Sequence, residues 1–184
     1  MSEKSCETLV REIIDLELAM FLAVKNRGGT SLCQEHPDSF RLMREITHAV
    51  LPLSFLESYL NDLKQGVQDA RNFMSEKYAL MESLIPPLNT DPCIDAIVDA
   101  ESAWRAEVAA EFPKTVQPEG REGFRLYLGC ELQTYSPATL AEYTRFVDAA
   151  HAENRNPVRE RYELLMRKLG YGSLKECEAS RVVR

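Results

Sequence analysis

Two glutamates occupy helix positions that ordinarily carry apolar side chains. Glu17 lies in the segment LELAMFLAV, with isoleucines one turn before it and Met20 and Phe21 one turn after it. Residues three and four apart share a helix face, so this spacing places the carboxylate on the apolar side. Glu101 has the same setting, with Trp104 one turn after it. Because a desolvated carboxylate can serve as a general acid or base, both are candidate catalytic residues.

Two similar segments offer polar partners for these carboxylates, since a buried charge is costly unless it is paired. Each begins with Arg-Asn and ends with tyrosine, over residues 71–78 and 155–162. In one interpretation each glutamate anchors a buried polar network that fixes helix register. In the other, both carboxylates face a shared cavity and do chemistry there. The candidate partners are Arg71, Asn72 and Tyr78 in the first segment and Arg155, Asn156 and Tyr162 in the second.

The stretch NRGGTSLCQEH, residues 26–36, interrupts an otherwise helical opening and holds a third candidate. The glycines at 28–29 are expected to cap the preceding helix. Cys33 lies just ahead of a helix start predicted at Pro37, where a helix N-terminus favours the thiolate, and His36 is close enough in sequence to assist. Cys33 is therefore a candidate nucleophile. The alternative is a buried, inert cysteine.

Composition excludes several classes of partner. A net charge of -7 argues against nucleic acid, because phosphate binding needs a basic face. The chain has no apolar run of membrane-span length, no signal-peptide core and no glycine-rich phosphate motif. Five scattered cysteines without a CxxC pair suit the reduced thiols of a cytoplasm. None of the three histidines lies in an HxxH, HxxxH or HExxH arrangement, so we expect no metal site, and no motif indicates a cofactor.

Helix signals dominate the elements that must position these residues, and strand signals are almost absent. We expect the helix opened by the Ser54–Glu57 capping box to run straight through Asn72-Phe73 as far as Pro86. Its later counterpart should break at Asn156-Pro157, because proline disfavours helical geometry at the residue before it. The other helices are predicted over 5–25, from Pro37 towards Pro52, from Pro92 to Pro113, and from about Glu122, Ser136-Pro137 and Ser173.

An internal repeat relates the two halves of the chain. Shifted by 84 positions, residues 9–85 align with 93–169 without a gap and share 16 identities in 77 positions. Unrelated sequences match at roughly one position in sixteen. We therefore predict a single all-α domain over residues 1–184, a helical bundle built from two tandem pseudo-symmetric three-helix halves plus a short C-terminal helix. The glycines and the cysteine of the loop at 26–36 have no counterparts at 110–119. Such a difference is expected if only one copy of the repeat carries a site.

Residues around that loop also carry a resemblance to a known family. Its most specific element is the pattern N-x-G-G-x-x-x-C-Q over residues 26–34, and matching positions continue through nearly the whole chain. In these residues the chain resembles a microbial family known as a domain of unknown function, numbered 4125. The resemblance supports the loop and Glu17 as parts of a site and implies no reaction. The chain differs from the family pattern at position 18, where it has leucine and tryptophan is expected. We expect this difference to alter the pocket wall. The candidate binding residues that the resemblance adds are Asn26, Gln34 and Arg44.

Two classes of function fit these residues. The first is a small-molecule-binding protein, or a cofactor-independent acid/base enzyme, with a polar pocket between the two halves. The second is a non-catalytic helical interaction or structural module with a buried polar network. An enclosed hollow lined by Glu17, Glu101, an arginine and a tyrosine favours the first, and a solid core with a large exposed apolar patch favours the second. We favour the first, because several polar residues lie on apolar helix faces.

Overall fold

The computed structural model describes residues 5–25 and 34–181, and its regular elements there are all helical, as predicted. Most helices begin where the sequence provides a cap, with Ser, Asp or Asn at the N-cap or proline in the first turn. Within these ranges the helices are α1 Cys6–Leu22, α2 Pro37–His48, α3 Leu53–Gln68, α4 Phe73–Met81, α5 Pro92–Glu111, α6 Arg121–Leu132, α7 Pro137–Ala152, α8 Pro157–Lys168 and α9 Leu174–Ser180, with a short 3-10 turn at Pro118–Gly120.

Buried apolar side chains from both halves of the chain form a shared core. α3 packs against α1 and α7, and α7 packs against α5. The outer helices cross between the halves, with α4 on α6 and α2 on α8. No helix in the described part of the chain combines the length and apolar character that crossing a membrane requires.

The helices recur along the chain at the spacing of the predicted repeat. α6, α7 and α8 each begin 84 residues after α2, α3 and α4 respectively. The surface ion pair between Arg41 and Asp15 also recurs, as Arg125 with Asp99. We propose that residues 9–85 and 93–169 arose by duplication, and these matched bounds and contacts support the proposal.

Each of these ranges holds four helices, where the sequence analysis predicts three. The break at Asn156-Pro157 is confirmed, because Asn156 caps α8 by accepting from the backbone N–H of Arg159. The straight run through Asn72 is wrong. Asn72 caps α4 by accepting from Ser75, although no proline follows it.

Equivalent caps explain the break in both ranges. The preceding helix ends at a left-handed residue, Ala70 (φ 56°) or Asn154 (φ 53°), whose neighbour Arg71 or Arg155 donates its N–H back to the last turn. The asparagine then caps the next helix and ties it to another, because Asn72 donates to the carbonyl of Met20 at 2.8 Å and Asn156 to that of Trp104 at 3.1 Å.

Two other predicted helix ends shift by a few residues. α3 begins at Leu53 with Pro52 at its N-cap, so the Ser54 capping box is not used. α1 ends at Leu22, before the glycines at 28–29, which lie outside the described residues. The helix start predicted at Ser173 is confirmed, since Ser173 caps α9 by accepting from the N–H of Glu176.

The ring of Phe73, the first residue of α4, leaves no room for a side chain at Gly66 on α3. A Cβ there would lie 2.8 Å from Cε1 of Phe73. We expect Gly66→Ala to lower the free energy of unfolding by about 1–3 kcal/mol in urea denaturation, although alanine has the higher helix propensity. Gly123→Ala is the control, because a Cβ there meets nothing within 4 Å and should leave stability unchanged or slightly higher. Equal gains at both positions would contradict the expectation.

Candidate functional site

Glu17 lies at the centre of the core, where α1, α2 and α3 meet, and its side chain is 0% exposed. The Arg44 guanidinium binds both of its carboxylate oxygens, with Nε donating to Oε2 at 2.8 Å. The Tyr59 hydroxyl donates to Oε1 at 2.8 Å. His48 Nε2 lies 3.1 Å from Oε2. The burial predicted for Glu17 is confirmed, and both of its oxygens have partners.

A second buried carboxylate, Glu131 on α6, shares Arg44 with Glu17. Arg44 Nη2 donates to Glu131 Oε1 at 2.9 Å. Lys77 from α4 donates at 3.1 Å and the Tyr135 hydroxyl at 3.0 Å. Two carboxylates therefore face two cations across both halves of the chain. We name this set the central network: Glu17, Arg44, His48, Tyr59, Lys77, Glu131 and Tyr135.

The central network keeps both carboxylates ionised. Burial by itself would raise the pKa of Glu17, but Arg44 and His48 hold that pKa well below its ordinary value. Burial would also raise the pKa of Glu131, but Arg44 and Lys77 lower that pKa to about 2. Burial and the neighbouring carboxylates raise the pKa values of Tyr59 and Tyr135. A carboxylate that stays ionised and hydrogen-bonded at neutral pH is poorly suited to carry a proton in catalysis.

Glu101 on α5 forms a separate buried ion pair with Arg161 on α8. Its side chain is also 0% exposed, as predicted. Arg161 donates to its two oxygens at 2.6 and 3.0 Å, and the Tyr143 hydroxyl donates at 2.8 Å. Burial beside Glu101 raises the pKa of Tyr143. Tyr143 follows Tyr59 by the repeat spacing of 84 residues, so the two glutamates accept from equivalent tyrosines.

A cavity of about 240 Å³ lies between two polar clusters, the central network and the group formed by Glu101, Tyr143 and Arg161. Its walls come mainly from α2 in the first half and from α5, α6 and α8 in the second, with Tyr143 of α7. Glu101 lines it and Glu17 does not. Much of the remaining wall is apolar or aromatic. The lining residues are Met43, Arg44, Ile46, Thr47, His48, Leu51, Glu101, Arg105, Phe124, Tyr127, Leu128, Glu131, Tyr135, Tyr143, Val158, Arg161, Tyr162 and Leu165.

The predicted partners from the Arg-Asn…Tyr segments are not the ones that bind the two glutamates. Arg71 donates to Glu76, and Arg155 donates to Glu160. Both arginines precede the first turn of a helix, so their guanidinium groups pair with the acidic residue of that turn and lie away from the core. Neither named arginine binds Glu17 or Glu101, although the second segment does supply a partner to Glu101, its Arg161.

The other predicted residues have different positions. Gln34 is buried and donates to the carbonyls of Phe21 and Val24, both at 3.0 Å, which fixes the chain after α1. Tyr78 packs against Phe21 at 6.4 Å between ring centroids. Tyr162 lines the cavity. Asn26 and Cys33 lie outside the described residues.

Seven members of these clusters were not among the candidates predicted from the sequence: His48, Tyr59, Lys77, Glu131, Tyr135, Tyr143 and Arg161. The repeat contained a signal for four of them. Tyr59 aligns with Tyr143, and Lys77 aligns with Arg161, so a cation stands at equivalent positions. No comparable signal marked Glu131, whose equivalent is a threonine.

Glu45 and His48 have the Glu-x-x-His spacing found in dinuclear carboxylate–metal sites. Their side chains do not converge. Glu45 is half exposed and binds Lys168 at 2.8 Å, whereas His48 faces Glu17 in the core. Among residues 5–25 and 34–181, no group of three or more histidine, cysteine or acidic side chains is placed to hold a metal ion.

Comparison with known proteins identifies a family without assigning an activity. No curated protein matches the chain, and no solved structure matches it. A family model described as "Protein of unknown function (DUF4125)" matches residues 7–179. This range contains both polar clusters, the cavity and the loop at 26–36. The chain therefore belongs to the DUF4125 family.

Proposed function

We propose that this protein binds a small, largely apolar molecule in the cavity between α2, α5, α6 and α8. The observation that carries the proposal is the cavity itself, with apolar and aromatic walls and a few fixed polar groups, the usual composition of a ligand pocket. Its volume of about 240 Å³ lies just below the usual range of ligand pockets, so it suits a molecule no larger than a compact ring system.

The polar clusters support binding more strongly than acid/base catalysis. The carboxylate oxygens of Glu131 and Glu101 already accept from cations and tyrosine hydroxyls. Glu17 is similarly occupied and lies behind the wall. Glu101 and Glu131 fix the directions of the arginine and tyrosine side chains around the cavity, which pre-organises its shape for a ligand.

A cavity-filling substitution tests the proposal. Leu128 lines the cavity, so Leu128→Trp should fill part of it while the protein stays folded. The probe is 2-naphthamide, an uncharged two-ring molecule, and isothermal titration calorimetry measures its dissociation constant. We expect wild-type protein to bind the probe and Leu128→Trp to bind it at least about tenfold more weakly, a loss of roughly 1.4 kcal/mol.

The matched control is Leu126→Trp, two residues earlier on α6. Leu126 is 48% exposed and does not line the cavity, so this variant should bind like wild type. Equal binding by all three proteins would place the probe elsewhere. If wild-type protein binds no probe and native mass spectrometry finds no co-purified molecule, the structural-module alternative is preferred.

A further inference from the structure

The ionised side chains around the cavity do not cancel. Three arginines line it, Arg44, Arg105 and Arg161, against two carboxylates, Glu101 and Glu131. Immediately behind the wall, the cation of Lys77 and the carboxylate of Glu17 offset each other. Arg44 and Arg161 are both paired within the polar clusters. The excess positive charge therefore lies at Arg105.

Arg105 is half-buried on α5, one turn after Glu101. Its guanidinium donates once, from Nη2 to the carbonyl of Gln117 at 2.9 Å. No carboxylate among the described side chains forms an ion pair with it. A guanidinium has five N–H donors, so four of them have no partner in this part of the chain.

The surroundings of Arg105 hold its guanidinium in place. Its Cζ lies 5.8 Å from the centroid of the Phe124 ring, which also lines the cavity. Gly120 in the 3-10 turn allows the close approach, because a Cβ there would come within 2.8 Å of Arg105 Nη2. A fixed, incompletely bonded guanidinium beside an apolar cavity is a suitable receptor for a carboxylate, since the two groups can form paired hydrogen bonds.

We propose that the ligand of this cavity is a monoanion, with a compact apolar body enclosed by the walls and a single carboxylate bound by Arg105. The inference rests on the proposed function and adds the chemical class of the ligand. Because Arg105 is a single cation without an ion-pair partner among the described side chains, a ligand with one negative charge is favoured over a ligand with two. Two tyrosines line the cavity with Arg105: Tyr127, whose hydroxyl accepts from Lys77, and Tyr162.

The experiment compares two probes of nearly equal shape, 2-naphthoate and the uncharged 2-naphthamide, by calorimetry at pH 7. We expect wild-type protein to bind the naphthoate about tenfold more tightly, as for a hydrogen-bonded charge at a partly buried site. Arg105→Gln should abolish this preference, so that the two probes bind the variant with equal affinity. The preference should also decrease as salt is added, because Arg105 is partly exposed to solvent.

The control for the loss of one positive charge is Arg121→Gln. Arg121 is exposed at the start of α6 and does not line the cavity, so this variant should keep the preference. Equal affinity of wild-type protein for the two probes, with binding still blocked by Leu128→Trp, would overturn the monoanion inference and leave the proposed function standing. Absence of binding by both probes would overturn both. A preference that survives in Arg105→Gln would place the carboxylate elsewhere and overturn the assignment.

Discussion

Replacing Glu17 by alanine is expected to lower the free energy of unfolding by about 3–5 kcal/mol, because it leaves buried charge without its partner. Arg44 would keep only Glu131, while the Tyr59 hydroxyl and His48 Nε2 would lose their acceptor. The alanine would also leave a void in the core. Urea denaturation followed by circular dichroism gives the free energy, provided that the slope with denaturant is unchanged.

Asp15→Ala is the matched control on the same helix. Asp15 is 56% exposed and pairs with Arg41 at the surface, so its loss should cost less than about 1 kcal/mol. A comparable small cost at Glu17 would mean that the central network contributes little to stability.

Glu17→Gln separates a structural role from a role in binding. Glutamine keeps the shape and one acceptor oxygen, so its cost should be smaller than that of alanine, about 1–3 kcal/mol. Because Glu17 does not line the cavity, this variant should bind 2-naphthamide like wild type. A Gln variant that folds normally and fails to bind the probe would instead assign Glu17 to the site.

Acid is expected to destabilise the protein through the same network. The folded pKa values of Glu17 and Glu131 lie below the ordinary value of 4.5, and that of Glu131 is about 2. The unfolded chain therefore binds these protons first. The stabilisation is fully present above about pH 4.5 and is lost as the pH falls towards 2. Each carboxylate should contribute a slope of about 1.4 kcal/mol per pH unit in this window.

Glu131→Gln isolates one of these contributions. The variant should be less stable than wild type at pH 7 and should lose stability less steeply on acidification, by about 1.4 kcal/mol per pH unit. Carbon-13 NMR of the carboxyl groups provides a direct check, because the Glu131 signal should show little titration above about pH 3. If the free energy of unfolding fell equally steeply with pH in both proteins, the low pKa of Glu131 would be contradicted.

Local sequence patterns were sufficient to predict most helices. Proline at the first turn and Asp, Asn or Ser at the N-cap act within a few residues, so the starts of α2, α5, α7 and α8 could be predicted without any tertiary contact. The break before Asn72 could not, because no proline follows it and its tie to the carbonyl of Met20 spans 52 residues. The signal for this break was the repeat, which aligns Asn72 with Asn156, where proline marks a helix start.

The sequence by itself determined that Glu17 and Glu101 are buried, since helical periodicity decides which face a side chain occupies. Only the tertiary structure decided their partners. Arg44 lies 27 residues from Glu17 and 87 from Glu131. Packing of α2 against α1, and of α4 against both α1 and α6, brings all three together. The pairing of Arg71 with a local glutamate shows the reason. A charged side chain binds the partner that helix packing places within reach, and that distance is not encoded in any local pattern.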